Sequence, residues 1–197
     1  MPEDTLTPPG GWQQAAHARF ATEPGPLQRA FLAGTRRMSG VEPSNVFVLL
    51  QRSPRLFFPW LAFASRLMPY GTLDANDRER VILRVAWNCR SRYEWGQHVA
   101  ISRNSGLPRE ELAWIAAGPA HPGWDAHRRA LLAACDEFHA DRFVADTTWA
   151  ELLRHHDEEQ RLELLLLIGH YEMLAGVLKS AGVPLEARIE ELLQSPG

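Results

Sequence analysis

The sequence predicts an all-α fold of about eight helices. Apolar residues recur at helical spacing along most of the 197-residue chain, whereas the apolar–polar alternation typical of strands is rare. The composition, 45% hydrophobic and 23% charged, is that of a globular protein, and the length suits one domain. We therefore expect an N-terminal arm with a short helix at residues 1–40 and a single helical domain at residues 41–197.

Helix start and stop signals divide the chain into elements. Within the arm, a short helix is expected around Leu27–Met38. Ser53-Pro54 predicts the next helix start, with the serine as its cap, and this helix should end near residue 69. Further helices are predicted at about 74–89, 91–104, 108–117 and 125–140, each followed by glycine, proline or polar residues.

The C-terminal part should hold the longest helix. Thr148 and Glu151 form a capping-box pattern, which predicts a helix beginning near Thr148. Asp157 then caps a helix that extends to about residue 181, and Pro184 opens a last short one. A set of small and apolar residues repeats along the long helix at helical spacing: Leu162, Leu165, Leu166, Gly169, Met173 and Val177.

Charge and cysteine content exclude several classes of function. The net charge is −3, so no broad basic field exists to attract nucleic acid or anionic lipid. The two cysteines, Cys89 and Cys135, form no CxxC, which argues against a dithiol redox centre and a multi-cysteine zinc site. The N-terminus lacks an apolar signal core, and the longest near-apolar run is only Phe57–Ala64. We expect a cytoplasmic protein.

The stretch from Glu79 to Ser105 carries most of the chemical information. On a helical wheel, Glu79 falls in the apolar arc of its helix and away from the arc that holds Arg80, Arg84 and Asn88. A carboxylate in the apolar arc should be desolvated or paired. The simpler alternatives are a buried glutamate–arginine pair and a first-turn glutamate favoured by the helix dipole.

The next helix carries a narrow polar stripe between Trp95 and Ile101. It consists of Glu94, His98, Ser102 and Ser105. Glu94 and His98 are four residues apart, close enough to hydrogen-bond on a helix. A carboxylate beside an imidazole can fix the imidazole tautomer, which is the minimum for general acid–base chemistry. The pair could also be two metal ligands or an ordinary surface pair.

These residues resemble a known family. The run Asp77–His98, and within it Tyr93-Glu-Trp-Gly-Gln-His98, resembles the core of the carboxymuconolactone decarboxylase/alkyl hydroperoxidase D-like family. Pro43-Ser-Asn45, Trp149 and Val183-Pro184-Leu185 extend the resemblance to about residues 40–190. It implies an all-α, alkyl hydroperoxidase D-like helical bundle that assembles as a dimer, trimer or hexamer, with its site in a pocket around the core helices.

The departure from the family pattern separates two branches. The hydroperoxidase branch carries a glutamate, a CxxC pair and a histidine four residues after the second cysteine. Glu79 and His98 match the glutamate and the histidine, but Ser91 and Glu94 occupy the cysteine positions, and Cys89 matches neither. Serine and glutamate supply no nucleophilic or resolving thiol, so the resemblance favours the decarboxylase branch.

The resemblance therefore implies cofactor-independent acid–base chemistry, namely decarboxylation or isomerisation of a small carboxylated or lactone substrate. His98 would be the general acid–base, Glu94 would orient it, and Glu79 would be a second relay carboxylate. The substrate pocket would be lined by Ser91, Tyr93 and Trp95, although Tyr93 could belong to a helix junction or interface and Trp95 to the core. We expect no cofactor and no metal, and a small-molecule substrate and further copies of this chain as partners.

Two alternatives stay open at this point. One is a peroxidase-related antioxidant protein that uses Cys89, and the other is a non-catalytic, ligand-binding relative that has lost the redox cysteines. Three arginines could bind a substrate carboxylate, and their spacing selects none of them: Arg84, Arg90 and Arg92. The remaining histidines and Cys135 fit structural roles, although His170 could reach the site from the C-terminal half.

Overall fold

The capping and periodicity signals produce a helical protein. A computed structural model describes residues 6–20, 25, 29 and 44–194. In these residues it contains nine helices and no strand, which confirms the predicted fold class. The helix expected around Leu27–Met38 falls, residue 29 apart, outside the described residues. The helices are α1 (Asn45–Leu50), α2 (Pro54–Leu67), α3 (Ala75–Asn88), α4 (Arg92–Ser105), α5 (Glu111–Ala117), α6 (Ala126–Asp141), α7 (Asp146–Leu152), α8 (Glu158–Ala181) and α9 (Ala187–Gln194).

Several helix caps form, including the one predicted at Asp157. The Asp74 side chain accepts hydrogen bonds from two backbone N–H groups at the start of α3, and Asp125 does the same once for α6. Asp157 and Gln160 form a reciprocal capping box at the start of α8. Gly106 ends α4 in the left-handed conformation, with φ 83°, as expected for a C-terminal glycine.

Other boundary predictions have mixed outcomes. The predicted start of α2 at Ser53-Pro54 is confirmed, although the Ser53 side chain makes no cap hydrogen bond. The prediction for α9 is wrong, because this helix begins at Ala187 instead of Pro184. The capping box at Thr148 does not form, because α7 already begins at Asp146. The Thr148 hydroxyl instead donates to Glu137 Oε1 on α6 at 2.6 Å, so a tertiary contact takes the place of the local one.

Helix α3 is the centre of the molecule. It packs against α4, α5, α6 and α8, and its apolar residues contribute to both hydrophobic clusters of the core. The arc of Arg80 and Arg84, expected to face solvent, is buried as well. Arg80 is paired with Asp77 and Glu111, while Arg84 binds Asp136 and two backbone carbonyls. The buried charges of Arg80 and Arg84 are thus matched by fixed partners.

The long helix α8 presents an apolar face outward. Its buried side includes Leu167, Ile168 and Leu174, whereas four members of the repeat noted in the sequence are exposed: Leu162, Leu166, Met173 and Val177. By length and composition α8 is the one helix in the described residues that could cross a membrane, but half of the relevant stretch is buried inside the protein. A core helix meets the same criterion, so this is weak evidence for a membrane span.

Candidate active site

Packing of α3 against α4 brings the two predicted polar positions together. Glu79 lies on the second turn of α3 and His98 on the second turn of α4, and both are buried. Glu79 Oε2 is 2.8 Å from His98 Nδ1. The carboxylate accepts a hydrogen bond from the Nδ1–H group of His98, which fixes the orientation of the imidazole ring. Nε2 is then the nitrogen that can exchange a proton with a substrate.

Glu94 does not orient His98. No hydrogen bond joins the two side chains in the described part of the chain, so the expected i, i+4 pair is replaced by the contact between helices. Glu94 is only 2% exposed, and among the described residues neither of its carboxyl oxygens has a hydrogen-bond partner. Burial raises the pKa of Glu94 well above its ordinary value, against the smaller effects of Ser91 and Lys179. Burial therefore favours the protonated form of this carboxyl group, which lies one helical turn from His98.

Tyr171 of α8 completes this part of the site. Its ring meets His98 edge to face, with ring centroids 5.1 Å apart, and its hydroxyl donates to Met68 Sδ. Burial, together with the charges of Glu79 and Glu94, raises its pKa above the ordinary value for tyrosine. Tyr171 is a neutral aromatic wall at neutral pH. The sequence offered one signal for it, the polar pair His170-Tyr171 inside an apolar helix.

Arg78 is a cation that the sequence analysis did not consider. It is buried, its Nε lies 4.0 Å from Glu79 Oε1, and that Nε has no hydrogen-bond partner among the described residues. The three arginines considered from the sequence are engaged elsewhere. Arg84 binds Asp136, Arg90 contacts Gln13, and Arg92 binds Glu190.

The predicted pocket residues separate. Ser91 is fully buried beside Glu94, and its hydroxyl lacks a hydrogen-bond partner. The Tyr93 hydroxyl accepts from the Val46 N–H and donates to Glu186 Oε1, so it joins α1, α4 and the segment before α9. Trp95 packs against Trp12 and Trp87 in the core. Tyr93 and Trp95 thus take the junction and core positions weighed as alternatives, and neither adjoins His98 through these contacts.

Thiol chemistry finds little support in either cysteine. Cys89 is buried, and desolvation together with Glu172 and Glu94 raises its pKa to about 12. Cys135 is fully buried in the core, and burial raises its pKa further. A thiol is nucleophilic only as the thiolate, so both side chains are held in the unreactive form at neutral pH.

His170 adjoins the site only through Tyr171, whose ring lies 5.3 Å from its own. Its ring stacks on Trp60 and meets Phe63 at an edge, and desolvation lowers its pKa to about 4. An apolar cavity of about 660 Å³ lies between α1, α2 and α8, with Trp60 and Leu174 in its wall. Its lining contains none of Glu79, Glu94 and His98. The histidines at the start of α6 and between α7 and α8 form a separate cluster, in which His127 lies against His155 and His156.

Comparison with protein families gives a match over the core. Residues 54–137 match the model of the carboxymuconolactone decarboxylase family. This segment runs from α2 to α6 and contains Glu79, Glu94 and His98. The predicted resemblance to the carboxymuconolactone decarboxylase/AhpD-like family is confirmed over these residues.

Solved structures share the fold of this family. A peroxidase-related protein with an alkylhydroperoxidase AhpD core, from Ralstonia eutropha JMP134, has a TM-score of 0.75 at 17% identity and covers 93% of this chain and 100% of its own. A peroxidase-related protein from Silicibacter sp. TM1040 gives 0.76 at 13% identity, over 89% of this chain and 95% of its own. The debrominase Bmp8 gives 0.69 at 15% identity, over 85% and 90%. A search of curated proteins finds no match.

Proposed function

We propose that the protein is a cofactor-independent acid–base enzyme that decarboxylates or isomerises a small carboxylated or lactone substrate. The matched family and the structural neighbours include decarboxylases, peroxidase-related proteins and a debrominase, so the similarity alone supports an enzyme of one of these general kinds. The observation that carries the finer proposal is the buried contact between Glu79 Oε2 and His98 Nδ1, at 2.8 Å, beside a carboxyl group that burial keeps protonated.

These groups match what decarboxylation of a carboxy-lactone requires. When the bond to CO₂ breaks, the electron pair moves toward the lactone carbonyl and forms an enolate. The protonated Glu94 carboxyl would donate a hydrogen bond to the developing oxyanion, and His98 Nε2 would deliver a proton to the carbon. His98 would regain that proton from solvent, so the overall reaction consumes one proton and releases CO₂.

Two further residues would bind the substrate. Arg78 has an unpartnered Nε beside Glu79 and would hold a carboxylate that does not react, because a cation on the departing carboxylate would stabilise the ground state. Tyr171 would form the apolar wall opposite, packed on the His98 ring. A small-molecule substrate, copies of this chain as partners and a cytoplasmic location complete the proposal.

Assay of CO₂ release tests the proposal. Carboxymuconolactone and related carboxylated lactones would be incubated with the wild type, with His98→Gln and with the matched control His121→Gln, which replaces a histidine outside the site. We expect His98→Gln to lower kcat about 10²- to 10⁴-fold with an unchanged fold, and Arg78→Gln to raise KM. Turnover that survives in folded His98→Gln would contradict the proposal.

The peroxidase-related alternative is equally consistent with the comparisons. The residues favour it less, because burial keeps Cys89 in the thiol form and neither Cys89 nor Cys135 forms a disulfide. Consumption of an alkyl hydroperoxide, with and without Cys89→Ser, decides between the two.

A further inference from the structure

Cys89, His139 and Glu172 bring three different metal-ligand types together, outside the candidate active site. Cys89 follows α3, His139 lies in the last turn of α6 and Glu172 lies in the middle of α8. Cys89 Sγ is 3.8 Å from His139 Nδ1, and Glu172 Oε1 is 2.6 Å from the same nitrogen. All three ligand atoms lie within 4.8 Å of one another. We propose that this cluster is a binding site for a divalent transition metal of the zinc type.

The direction of the three atoms distinguishes a metal site from a catalytic triad. In a triad the imidazole uses both nitrogens, one toward the carboxylate and the other toward the nucleophile. Here the thiol and the carboxylate both face Nδ1 of His139, so no proton relay can run through the ring. Three ligand atoms that converge on one point are instead what a single cation requires.

The distances are close to those of a tetrahedral zinc centre. Bond lengths of about 2.3 Å to sulfur and about 2.0 Å to nitrogen and oxygen place the sulfur and nitrogen about 3.6 Å apart, and the nitrogen and oxygen about 3.3 Å apart. The first separation is already met at 3.8 Å. The separation between His139 Nδ1 and Glu172 Oε1 must widen from 2.6 Å when the metal binds. Their hydrogen bond is then replaced by one metal bond to each atom.

Neighbouring side chains fix the position of the cluster through atoms other than the three proposed ligand atoms. Arg142 binds the other carboxylate oxygen, Oε2, and so fixes the orientation of Glu172 with Oε1 toward His139. Arg142 also closes the end of α6 through the carbonyls of Phe138 and His139. The Lys179 ammonium lies nearby, but it is bound to the Cys89 carbonyl oxygen at 2.6 Å and not to the thiol.

The donor set selects the class of metal. One thiolate, one imidazole and one carboxylate suit a borderline-soft cation such as Zn²⁺ or Co²⁺ and not Ca²⁺ or Mg²⁺, which prefer oxygen. A divalent cation would balance the charges of a thiolate and a carboxylate and would displace the thiol proton of Cys89. The His139 side chain is 38% exposed, so a fourth position is open to water.

Cobalt provides the test, because a thiolate bound to Co²⁺ gives a charge-transfer band in the near ultraviolet. Purified, metal-free full-length chain would be titrated with Co²⁺ and then with Zn²⁺ as competitor. We expect one Co²⁺ per chain, a thiolate band that Zn²⁺ abolishes, and loss of the band in Cys89→Ser. His139→Gln and Glu172→Gln should each weaken binding at least tenfold, while the control His121→Gln should leave it unchanged.

A second measurement uses only the wild type, so it tests the proposal even if the variants fail to fold. In the wild type, alkylation of Cys89 would be followed by peptide mass spectrometry, with and without Zn²⁺, and Cys135 would serve as the internal reference. We expect Zn²⁺ to slow alkylation of Cys89 at least tenfold. The proposal is overturned if the wild type gives no thiolate band, if the band survives in Cys89→Ser, or if Zn²⁺ leaves Cys89 alkylation unchanged.

Discussion

Glu94→Gln removes an ionisation that burial opposes. Both carboxyl oxygens of Glu94 are buried without hydrogen-bond partners, and burial raises its pKa well above the ordinary 4.5. The native state therefore binds a proton that the unfolded chain releases once the pH passes 4.5. Because the native state binds more protons, the free energy of unfolding contributed by Glu94 falls as the pH rises. Glutamine has the shape of the protonated acid and cannot ionise, so the variant escapes this loss.

The size of the effect follows from linkage. Each pH unit over which only the native state holds the proton changes the free energy of unfolding by about 1.4 kcal/mol. From the ordinary pKa of 4.5 to pH 7.5 is a span of 7.5 − 4.5 = 3 units, so the loss in the wild type reaches at most about 4 kcal/mol at pH 7.5. Glu94→Gln should therefore gain stability relative to the wild type with rising pH, up to that limit.

Urea denaturation of both proteins between pH 5 and 8 measures this difference, and the other titrating groups cancel in the comparison. Glu110→Gln, at an exposed position, is the matched control and should show no such trend. If the difference between the wild type and Glu94→Gln stays constant across this range, Glu94 ionises alike in both states, and the protonated carboxyl invoked for catalysis does not exist.

Three further predictions concern stability and thiol reactivity. Burial lowers the pKa of His170 to about 4, so the native state binds fewer protons than the unfolded chain below pH 6.5. Between pH 6.5 and 4 the wild type should lose about 3 kcal/mol of unfolding free energy that His170→Phe retains. Parallel curves of unfolding free energy against pH for the two proteins would contradict this. Arg80→Leu should lower the free energy of unfolding, measured by urea denaturation, by about 3–5 kcal/mol because it leaves the buried Glu111 carboxylate unpaired. The double variant Arg80→Leu/Glu111→Leu should recover part of that loss. A double variant as unstable as the single one would show that the pairing of Arg80 with Glu111 is not the cause. Because the pKa of Cys89 is raised to about 12, the wild type should consume an alkyl hydroperoxide no faster than free cysteine does. Faster consumption that Cys89→Ser abolishes would favour the peroxidase alternative.

The sequence predicted the helices where local signals dominate. Asp74, Asp125 and Asp157 cap their helices, because an aspartate side chain at a helix start meets backbone N–H groups only a few residues away. Thr148 carries the same type of signal and fails, because Glu137 on α6 lies within 2.6 Å of its hydroxyl. No local pattern encodes a partner eleven residues away on another helix.

The sequence predicted residues of the candidate site better than it predicted the contacts between them. The helical wheel placed Glu79 in a buried arc, and the structure gives it His98 as partner. The same wheel paired His98 with Glu94, because helical spacing describes only neighbours on one helix. Tyr171 joins the site through the packing of α8 against α4, and periodicity along either helix contains no information about that contact. Arg78 lies next to Glu79 in the sequence, and no pattern singled it out.

The most direct test of the account is whether Glu79 and His98 act as one unit in turnover. CO₂ release from a carboxylated lactone would be measured for Glu79→Gln, His98→Gln and the double variant, after each is shown to be folded. Because Glu79 acts through His98, we expect Glu79→Gln to lower kcat and the double variant to be no slower than His98→Gln alone. Losses that multiply, or a Glu79→Gln variant as active as the wild type, would contradict the account.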